Sequence, residues 1–259
     1  IVCASEEQAV EEIGKALELV EYANGIFGLE YGKDYWYKLS LGDRNNPEKY
    51  GTNNDAWDKS EDLMRKFLKN KDYKFEEVAG DAAFYGPKID VQMKNANGKE
   101  DTAFTVQYDF CMPERFNMNY IGEDGKEHRA FVVHRSSIGS IGRTMALLIE
   151  KYAGAFPLWL SPVQAKILTV ADTHKEYAKN VFDNLMNAGI RAELDDSNET
   201  LGKKVRNAKT EKVNYMLVIG DKEVESNNLS IESRDSGKLG EKTIDSFIEH
   251  LKKEIADKK

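Results

Sequence analysis

The segment 155–164, AFPLWLSPVQ, divides the sequence into two halves with different orders of predicted strands and helices. Before it, strands of alternating apolar and polar residues follow one another with helices inserted between them, which is typical of an antiparallel α+β fold. After it, strands and helices alternate, which is typical of a compact α/β domain with a parallel or mixed sheet. The prolines of the segment end the preceding helix and begin a connection. The sequence therefore predicts two domains, residues 1–161 and residues 162–259.

Residues 85–110 form the clearest antiparallel pair of the first half. Apolar and polar residues alternate on both sides of a turn near residues 95–98, as in a β-hairpin. On the second strand, one face carries Thr105, Gln107 and Asp109. Such a face is either exposed to solvent or the floor of a polar pocket, and the sequence leaves both interpretations open.

The segment 132–143, VVHRSSIGSIGR, places a histidine at the end of an apolar strand and an arginine nine residues later in a helix. His134 could bind a metal, transfer a proton or pack in the core, and packing is the usual role of a lone histidine. Helix N-terminal amides and the Arg143 guanidinium together suit a triphosphate, although an ordinary surface arginine is the alternative. Together these residues predict an anionic ligand above a β-sheet, near His134 and Gln107.

The composition excludes several classes of protein. No apolar run approaches the roughly 20 residues that a membrane helix needs, and the first residues do not form a signal peptide. The two cysteines, Cys3 and Cys111, form no disulfide framework and no CxxC pair, which favours a cytoplasmic protein without a membrane partner. The net charge of -8 argues against tight non-specific nucleic-acid binding but allows a local basic surface. Because the sequence starts inside a predicted strand without methionine, we expect a longer parent protein.

Eight segments, in the same order and with close spacing, resemble the threonyl-tRNA synthetase family of class II aminoacyl-tRNA synthetases. They are AFYGPKID, TVQYDF, PERF, YIGEDG, HRSSIGSIGR, KYAGAFPLWLSPVQ, NAGIRAELDDSNETLGKKVR and YMLVIGDKEVE. The resemblance implies a class II antiparallel sheet with helices, followed by an α/β mixed-sheet anticodon-binding domain. It also implies a threonine-tRNA ligase, which forms threonyl-adenylate from threonine and ATP and then transfers the threonyl group to tRNA(Thr).

The resemblance assigns roles to residues of the first domain. Arg143 matches the arginine that binds the γ-phosphate of ATP. Gln107 and Ser140 match residues that line the threonine and adenylate pocket, and Tyr85 matches another substrate-binding residue. Lys88 matches a lysine near this pocket, for which we expect a catalytic role.

The resemblance also implies two metal cofactors, Zn²⁺ and Mg²⁺. His134 matches one of three zinc ligands of the family, in which the metal coordinates the amino and hydroxyl groups of threonine. Such a metal excludes valine, which has no hydroxyl to satisfy the metal position. Mg²⁺ accompanies ATP and neutralises phosphate charge.

In the second domain, Asn198, Arg206 and Glu223 match residues that contact the anticodon of tRNA(Thr). We expect these side chains to converge at one end of the sheet, where α/β domains commonly bind ligands. Lys203 and Lys204 precede Arg206, and spacing alone would make this a solvated basic face. The family resemblance further implies a homodimer of the full-length protein.

Several positions depart from the family pattern. Thr102–Phe104 stands where the family usually has Gln-Cys-Gly, Gly142 replaces the glutamate before the motif 3 arginine, and Glu232 replaces an anticodon-contacting arginine. The motif 2 arginine and the other two zinc ligands belong upstream of Ile1, so we expect this chain alone to be inactive. The alternative function is a non-catalytic, synthetase-like accessory protein that binds nucleic acid.

Overall fold

The structure is a computed structural model that describes residues 1–136 and 138–258. Ser137, within the segment 132–143, lies outside the described residues. The chain separates into two compact units, Ile1–Leu147 and Leu148–Lys259. Among the described residues, no helix is long and apolar enough to cross a membrane.

The elements are given in chain order. The first unit contains β1 (Val2–Cys3), α1 (Glu6–Ile26), β2 (Tyr35–Leu41), α2 (Pro47–Tyr50), α3 (Asn54–Asn70), β3 (Phe75–Ala79), β4 (Lys88–Lys94), β5 (Glu100–Asp109), α4 (Met112–Arg115), β6 (Asn119–Ile121), β7 (Glu127–Arg129) and β8 (Phe131–Ser136). Helix α5 (Ile141–Tyr152) crosses the division between the units. The second unit contains β9 (Ala165–Thr169), α6 (Lys175–Asn187), β10 (Ala192–Asp195), α7 (Leu201–Thr210), β11 (Tyr215–Ile219), α8 (Asp221–Ser226), β12 (Leu229–Ser233), β13 (Gly237–Lys242) and α9 (Ile244–Ala256).

The main sheet of the first unit has the strand order β1-β8-β5-β4-β2-β3. Neighbouring strands are antiparallel from β1 to β2, as the sequence predicts, whereas the edge strand β3 runs parallel to β2. The parallel pair forms because α2 and α3 connect the two strands, and a crossover of this length returns the chain to the same end of the sheet.

One face of this sheet packs against α1. Alternation along the hairpin turns Ile89 and Val91 of β4, and Phe104 and Val106 of β5, into the same apolar core. The residues of α1 that the helical period places on its buried face are all buried: Ile13, Ala16, Leu17, Val20 and Ala23. The opposite face of the sheet therefore carries the polar half of each alternating strand.

The second unit contains a five-stranded mixed sheet with the order β10-β9-β11-β12-β13. The strands β10, β9 and β11 are parallel, and β12 and β13 continue the sheet in antiparallel pairs. Helices α6 and α9 pack on one face and α7 packs on the other. The mixed sheet predicted for the second half is confirmed.

Candidate functional site

The polar face of the first sheet is a largely buried surface. Asp109 is 1% exposed and Asp90 is fully buried, so these side chains do not form a solvated face. They are hydrogen-bonded to neighbouring strands, as buried polar groups must be. Of the two interpretations left open by the sequence, the arrangement favours the floor of a polar pocket.

Tyr85, Gln107 and His134 lie together on this face. Gln107 of β5 is paired directly with His134 of β8, the Tyr85 hydroxyl donates to Oε1 of Gln107, and the rings of Tyr85 and His134 are 5.2 Å apart. Burial raises the pKa of the Tyr85 hydroxyl, and the negative charge of Asp109 raises it further. The hydroxyl therefore stays protonated at neutral pH, and its one proton forms the hydrogen bond to Gln107.

Asp109 holds the His134 ring in place, a role that the sequence interpretation did not assign. Oδ2 of Asp109 lies 2.7 Å from Nε2 of His134, and Oδ1 accepts hydrogen bonds from the backbone N–H groups of Cys111 and Met112. The imidazole itself is about half exposed. The alternation of Thr105, Gln107 and Asp109 was a signal for this role, because side chains two residues apart share one face.

Lys88 belongs to a second cluster on the same face. Its ammonium lies 2.6 Å from Oδ2 of Asp90. The same oxygen accepts a hydrogen bond from the Ser40 hydroxyl, and Oδ1 of Asp90 accepts one from the Thr105 hydroxyl. On this face of the sheet, the opposite charges of Lys88 and Asp90 therefore offset each other, and the hydroxyls of Ser40 and Thr105 satisfy further hydrogen bonds of the carboxylate. Sequence reasoning identified Lys88 but not Asp90 or Ser40, which lie 50 residues apart in the chain.

The segment before α5 approaches β5 closely. Gly139 has a φ of +66°, and a Cβ at this position would lie 2.1 Å from the carbonyl oxygen of Ala103. Only glycine fits both the left-handed conformation and this approach. The approach brings Arg143 to β5, where its Nη1 donates to the carbonyl oxygen of Thr102 at 3.2 Å.

The predicted substrate-, metal- and phosphate-binding residues therefore form two groups along β5. Tyr85, Gln107 and His134 are in mutual contact, whereas Arg143 contacts β5 at Thr102, about 16 Å further along the strand. Ser140 is placed beside Arg143, with its hydroxyl oxygen 3.4 Å from the Arg143 backbone nitrogen. A ligand that touched both groups would be extended along the strand.

The described residues do not form a zinc or magnesium site by themselves. Among them, no group of three or more His, Cys, Asp or Glu side chains could hold a metal ion. His134 has one carboxylate neighbour, Asp109, whereas zinc sites use three or four protein ligands. The donor set present in this part of the chain does not fit the metal.

In the second unit, Asn198 and Glu223 lie beyond the carboxyl ends of strands that run in the same direction. Asn198 follows β10 and lines a cavity of about 220 Å³, whereas Glu223 follows β11 and lines a separate cavity of about 440 Å³. Arg206 is exposed on α7. The structure places Asn198 and Glu223 at one edge of the sheet but in different cavities.

Glu232, one of the departures from the family pattern, lines the same cavity as Glu223. Its carboxylate lies 2.9 Å from the ammonium of Lys209 on α7. The positive charge beside position 232 is therefore that of Lys209, on a neighbouring helix, rather than that of an arginine at residue 232 itself.

Known proteins match this arrangement of two units. A family model for the class II core domain of tRNA synthetases (G, H, P, S and T) matches residues 1–152, and a model for an anticodon binding domain matches residues 161–254. Threonine–tRNA ligase of Clostridium botulinum (strain Eklund 17B / Type B) is 46% identical over 97% of this chain and 39% of its own length. The same ligase of Clostridium perfringens (strain SM101 / Type A) is 43% identical over 100% of the chain and 40% of its own length. The chain thus spans about 40% of these curated relatives.

A solved structure has the same fold. The RNA binding domain of threonyl-tRNA synthetase from Cryptosporidium parvum Iowa II superimposes with a TM-score of 0.86 at 31% sequence identity. The match covers 96% of this chain and 61% of that one.

Proposed function

Because this chain belongs to the class II tRNA synthetase family, we propose that it is part of a threonine-tRNA ligase. The observation behind this proposal is that one chain joins a class II core unit, with buried polar residues on one face of its sheet, to an anticodon-binding unit. The proposed reaction has two steps. The threonine carboxylate attacks the α-phosphate of ATP, which releases pyrophosphate, and a terminal tRNA hydroxyl then takes the threonyl group from the adenylate.

In this proposal the protein positions reactants and stabilises charge rather than forming covalent bonds. Tyr85 and Gln107 bind threonine and its adenylate, and their mutual hydrogen bond on the rigid sheet supports this role. Arg143 binds the γ-phosphate, and Ser140 lies beside it. Lys88 lies beside Gln107 on the neighbouring strand β4, and Asp90 holds its ammonium.

A zinc role for His134 needs ligands that the described residues do not supply, so no step of the proposed reaction depends on the metal. His134 is a candidate ligand because its half-exposed ring lies beside Gln107 and Tyr85. Magnesium and the homodimer are likewise proposals from the family. Elemental analysis of this chain after incubation with zinc should find well under one equivalent, and tight stoichiometric binding would contradict the assignment of His134 as one ligand of an incomplete set.

The catalytic assignment is tested by threonine-dependent ATP–pyrophosphate exchange in the longest natural form of the protein. Replacing Arg143 with alanine should lower the exchange rate at least about tenfold, since a hydrogen bond to a charged group contributes about 1.5–3 kcal/mol. Lys69→Ala on α3 also removes one exposed positive charge and should leave exchange unchanged. Equal rates for Arg143→Ala and the wild type would contradict phosphate binding by Arg143.

The anticodon assignment is tested on this chain with two RNA stem-loops, one carrying a threonine anticodon and one carrying a changed anticodon. The wild type should prefer the first, because single-stranded loop bases are read through polar edges and arginine contacts. Arg206→Ala should reduce the preference itself, not only the affinity for both RNAs. The control Lys252→Ala removes an exposed charge from α9, on the opposite face of the sheet, and should preserve the preference.

The non-catalytic accessory protein is the second candidate. It is favoured by Gly142 and by Thr102–Phe104, the departures from the family pattern that lie at and beside Arg143. Selective RNA binding together with no exchange activity in the longest natural form would favour this candidate over the ligase.

A further inference from the structure

Lys204 is a buried lysine in a helix whose neighbouring cations are exposed. It is 2% exposed, whereas Lys203 and Arg206 of the same helix α7 are exposed. The position follows from the helical period, since Leu201, Val205 and Ala208 pack on the sheet from the same side of the helix. A buried ammonium is costly unless acceptors surround it.

The acceptors around Lys204 belong to the ends of two strands. Its Nζ donates to the backbone carbonyl and the hydroxyl of Thr169, both at 3.0 Å, and to the backbone carbonyl of Asp195 at 3.2 Å. Thr169 is the last residue of β9 and Asp195 is the last residue of β10. All three ammonium protons are therefore used within the protein, and Lys204 has no donor left for a ligand.

Asp195, which accepts a hydrogen bond from Lys204, also binds the segment that carries Asn198. Ser197 donates to the carboxylate of Asp195 from both its backbone N–H and its hydroxyl, and the segment ends at Thr200, which caps α7. Burial would raise the pKa of the Asp195 carboxyl, but the Ser197 donors and the positive charge of Lys204 lower it overall. The carboxylate that holds this segment is therefore ionised at neutral pH.

Asn198 and Lys204 line the same cavity of about 220 Å³. We infer that Lys204 is a positioning residue, which joins the ends of β9 and β10 and thereby holds residues 196–199 in the conformation that presents Asn198 to a base of an RNA loop. The part of this inference that concerns RNA rests on the proposed function. The part that concerns the conformation of residues 196–199 does not.

The test compares variants of this chain in two measurements. Lys204→Met fills a similar volume but removes the donors, and Lys204→Arg restores donors. The control Lys252→Met removes the same charge from an exposed position of α9, away from residues 196–199. Amide hydrogen exchange reports the order of residues 196–199, and binding of the two stem-loops at moderate salt reports discrimination. We expect Lys204→Met to speed exchange in residues 196–199 and to reduce discrimination about threefold to tenfold, because the freed segment must be ordered again on binding. Lys204→Arg should recover part of the protection and part of the discrimination, and Lys252→Met should leave both unchanged.

If the buried acceptors that Lys204→Met leaves unpaired prevent folding, Thr169→Val replaces it. This substitution keeps the shape and removes the hydroxyl that accepts from the ammonium and donates to the Asp195 carbonyl. Unchanged exchange and unchanged discrimination in the folded variant would overturn the inference. If the wild type itself binds both stem-loops equally, the anticodon assignment fails, and hydrogen exchange alone then decides whether Lys204 orders the segment.

Discussion

At the scale of single residues, buried carboxylates fix the side chains of the candidate sites. Asp109 binds the His134 ring with one oxygen and two backbone N–H groups at the start of α4 with the other. Asp90 binds the Lys88 ammonium, and hydrogen bonds from Ser40 and Thr105 hold the Asp90 carboxylate in place. A side chain that has lost its rotamer freedom in this way needs no further ordering when a ligand binds.

Glu223 gives a residue-scale prediction for pH dependence. Its carboxylate accepts hydrogen bonds from the Gly220 backbone N–H at 3.0 Å and from the Ser230 hydroxyl. Burial would raise the pKa of Glu223, but these donors outweigh burial, and the pKa lies below its ordinary value. The ionised form therefore stabilises the fold above the unfolded-state pKa of about 4.3, and this contribution is lost as pH falls through the folded-state pKa.

We therefore expect Glu223→Gln to lower the free energy of unfolding at pH 7 and to approach the wild type as the pH falls from about 5 to 3. Urea unfolding at a series of pH values measures this difference. The control Glu225→Gln, at an exposed position of the same helix, should show no such trend. A difference that stays constant with pH would mean that the charge of Glu223 does not contribute.

At the scale of elements, two glycines at the start of α5 have opposite roles. Gly139 has a positive φ and touches the Ala103 backbone, whereas Gly142 lies inside the helix with open space where a Cβ would be. The first glycine lets the segment lie against β5, where Arg143 reaches Thr102. The second has no such requirement and lowers helix stability, because glycine loses more backbone freedom than alanine.

Alanine substitutions should therefore have opposite signs at these two positions. Gly139→Ala should lower the free energy of unfolding by at least about 1 kcal/mol, because alanine is strained at positive φ and its Cβ meets a backbone oxygen. Gly142→Ala should raise it by about 0.5–1 kcal/mol. Urea unfolding of the two variants checks both signs, and destabilisation by Gly142→Ala would show that this position needs glycine for another reason.

At the scale of the whole molecule, the compact units and the predicted domains divide at different places. The second unit begins at Leu148, whereas the sequence predicts a domain that begins at Pro162. The intervening residues belong to the second core. Leu158 is fully buried among its apolar residues, and the Phe156 carbonyl accepts hydrogen bonds from Asn214 and Arg234.

We expect residues 148–259 to be more stable than residues 162–259 when each is expressed alone. The shorter segment loses the burial of Leu158 and removes the Phe156 carbonyl, which accepts from the Asn214 side chain and is one of the acceptors of Arg234; together these losses should cost about 3 kcal/mol or more. Thermal unfolding measures the difference, and residues 153–259, which keep these contacts, should resemble the longer segment. Equal stability of 148–259 and 162–259 would place the domain boundary near Pro162.

The sequence by itself determined the local features of this protein. Period-two alternation places Ile89 and Val91 on one face of β4, the helical period places Ile13 and Leu17 on one side of α1, and all four side chains are buried. These features follow from backbone geometry within a few residues, so the nearby sequence contains them. The order of eight family segments likewise indicated the class II family, and the family model confirms it.

Only the tertiary structure decided which polar groups are buried and what they contact. Sequence spacing favoured a solvated face for Lys204, yet α7 packs it against the ends of β9 and β10. Ser40 and Asp90 meet because β2 and β4 are neighbours, and nothing in either strand specifies that pairing. A periodic pattern states which residues share a face, whereas the strand order, and with it the partner of each buried charge, depends on packing between distant parts of the chain.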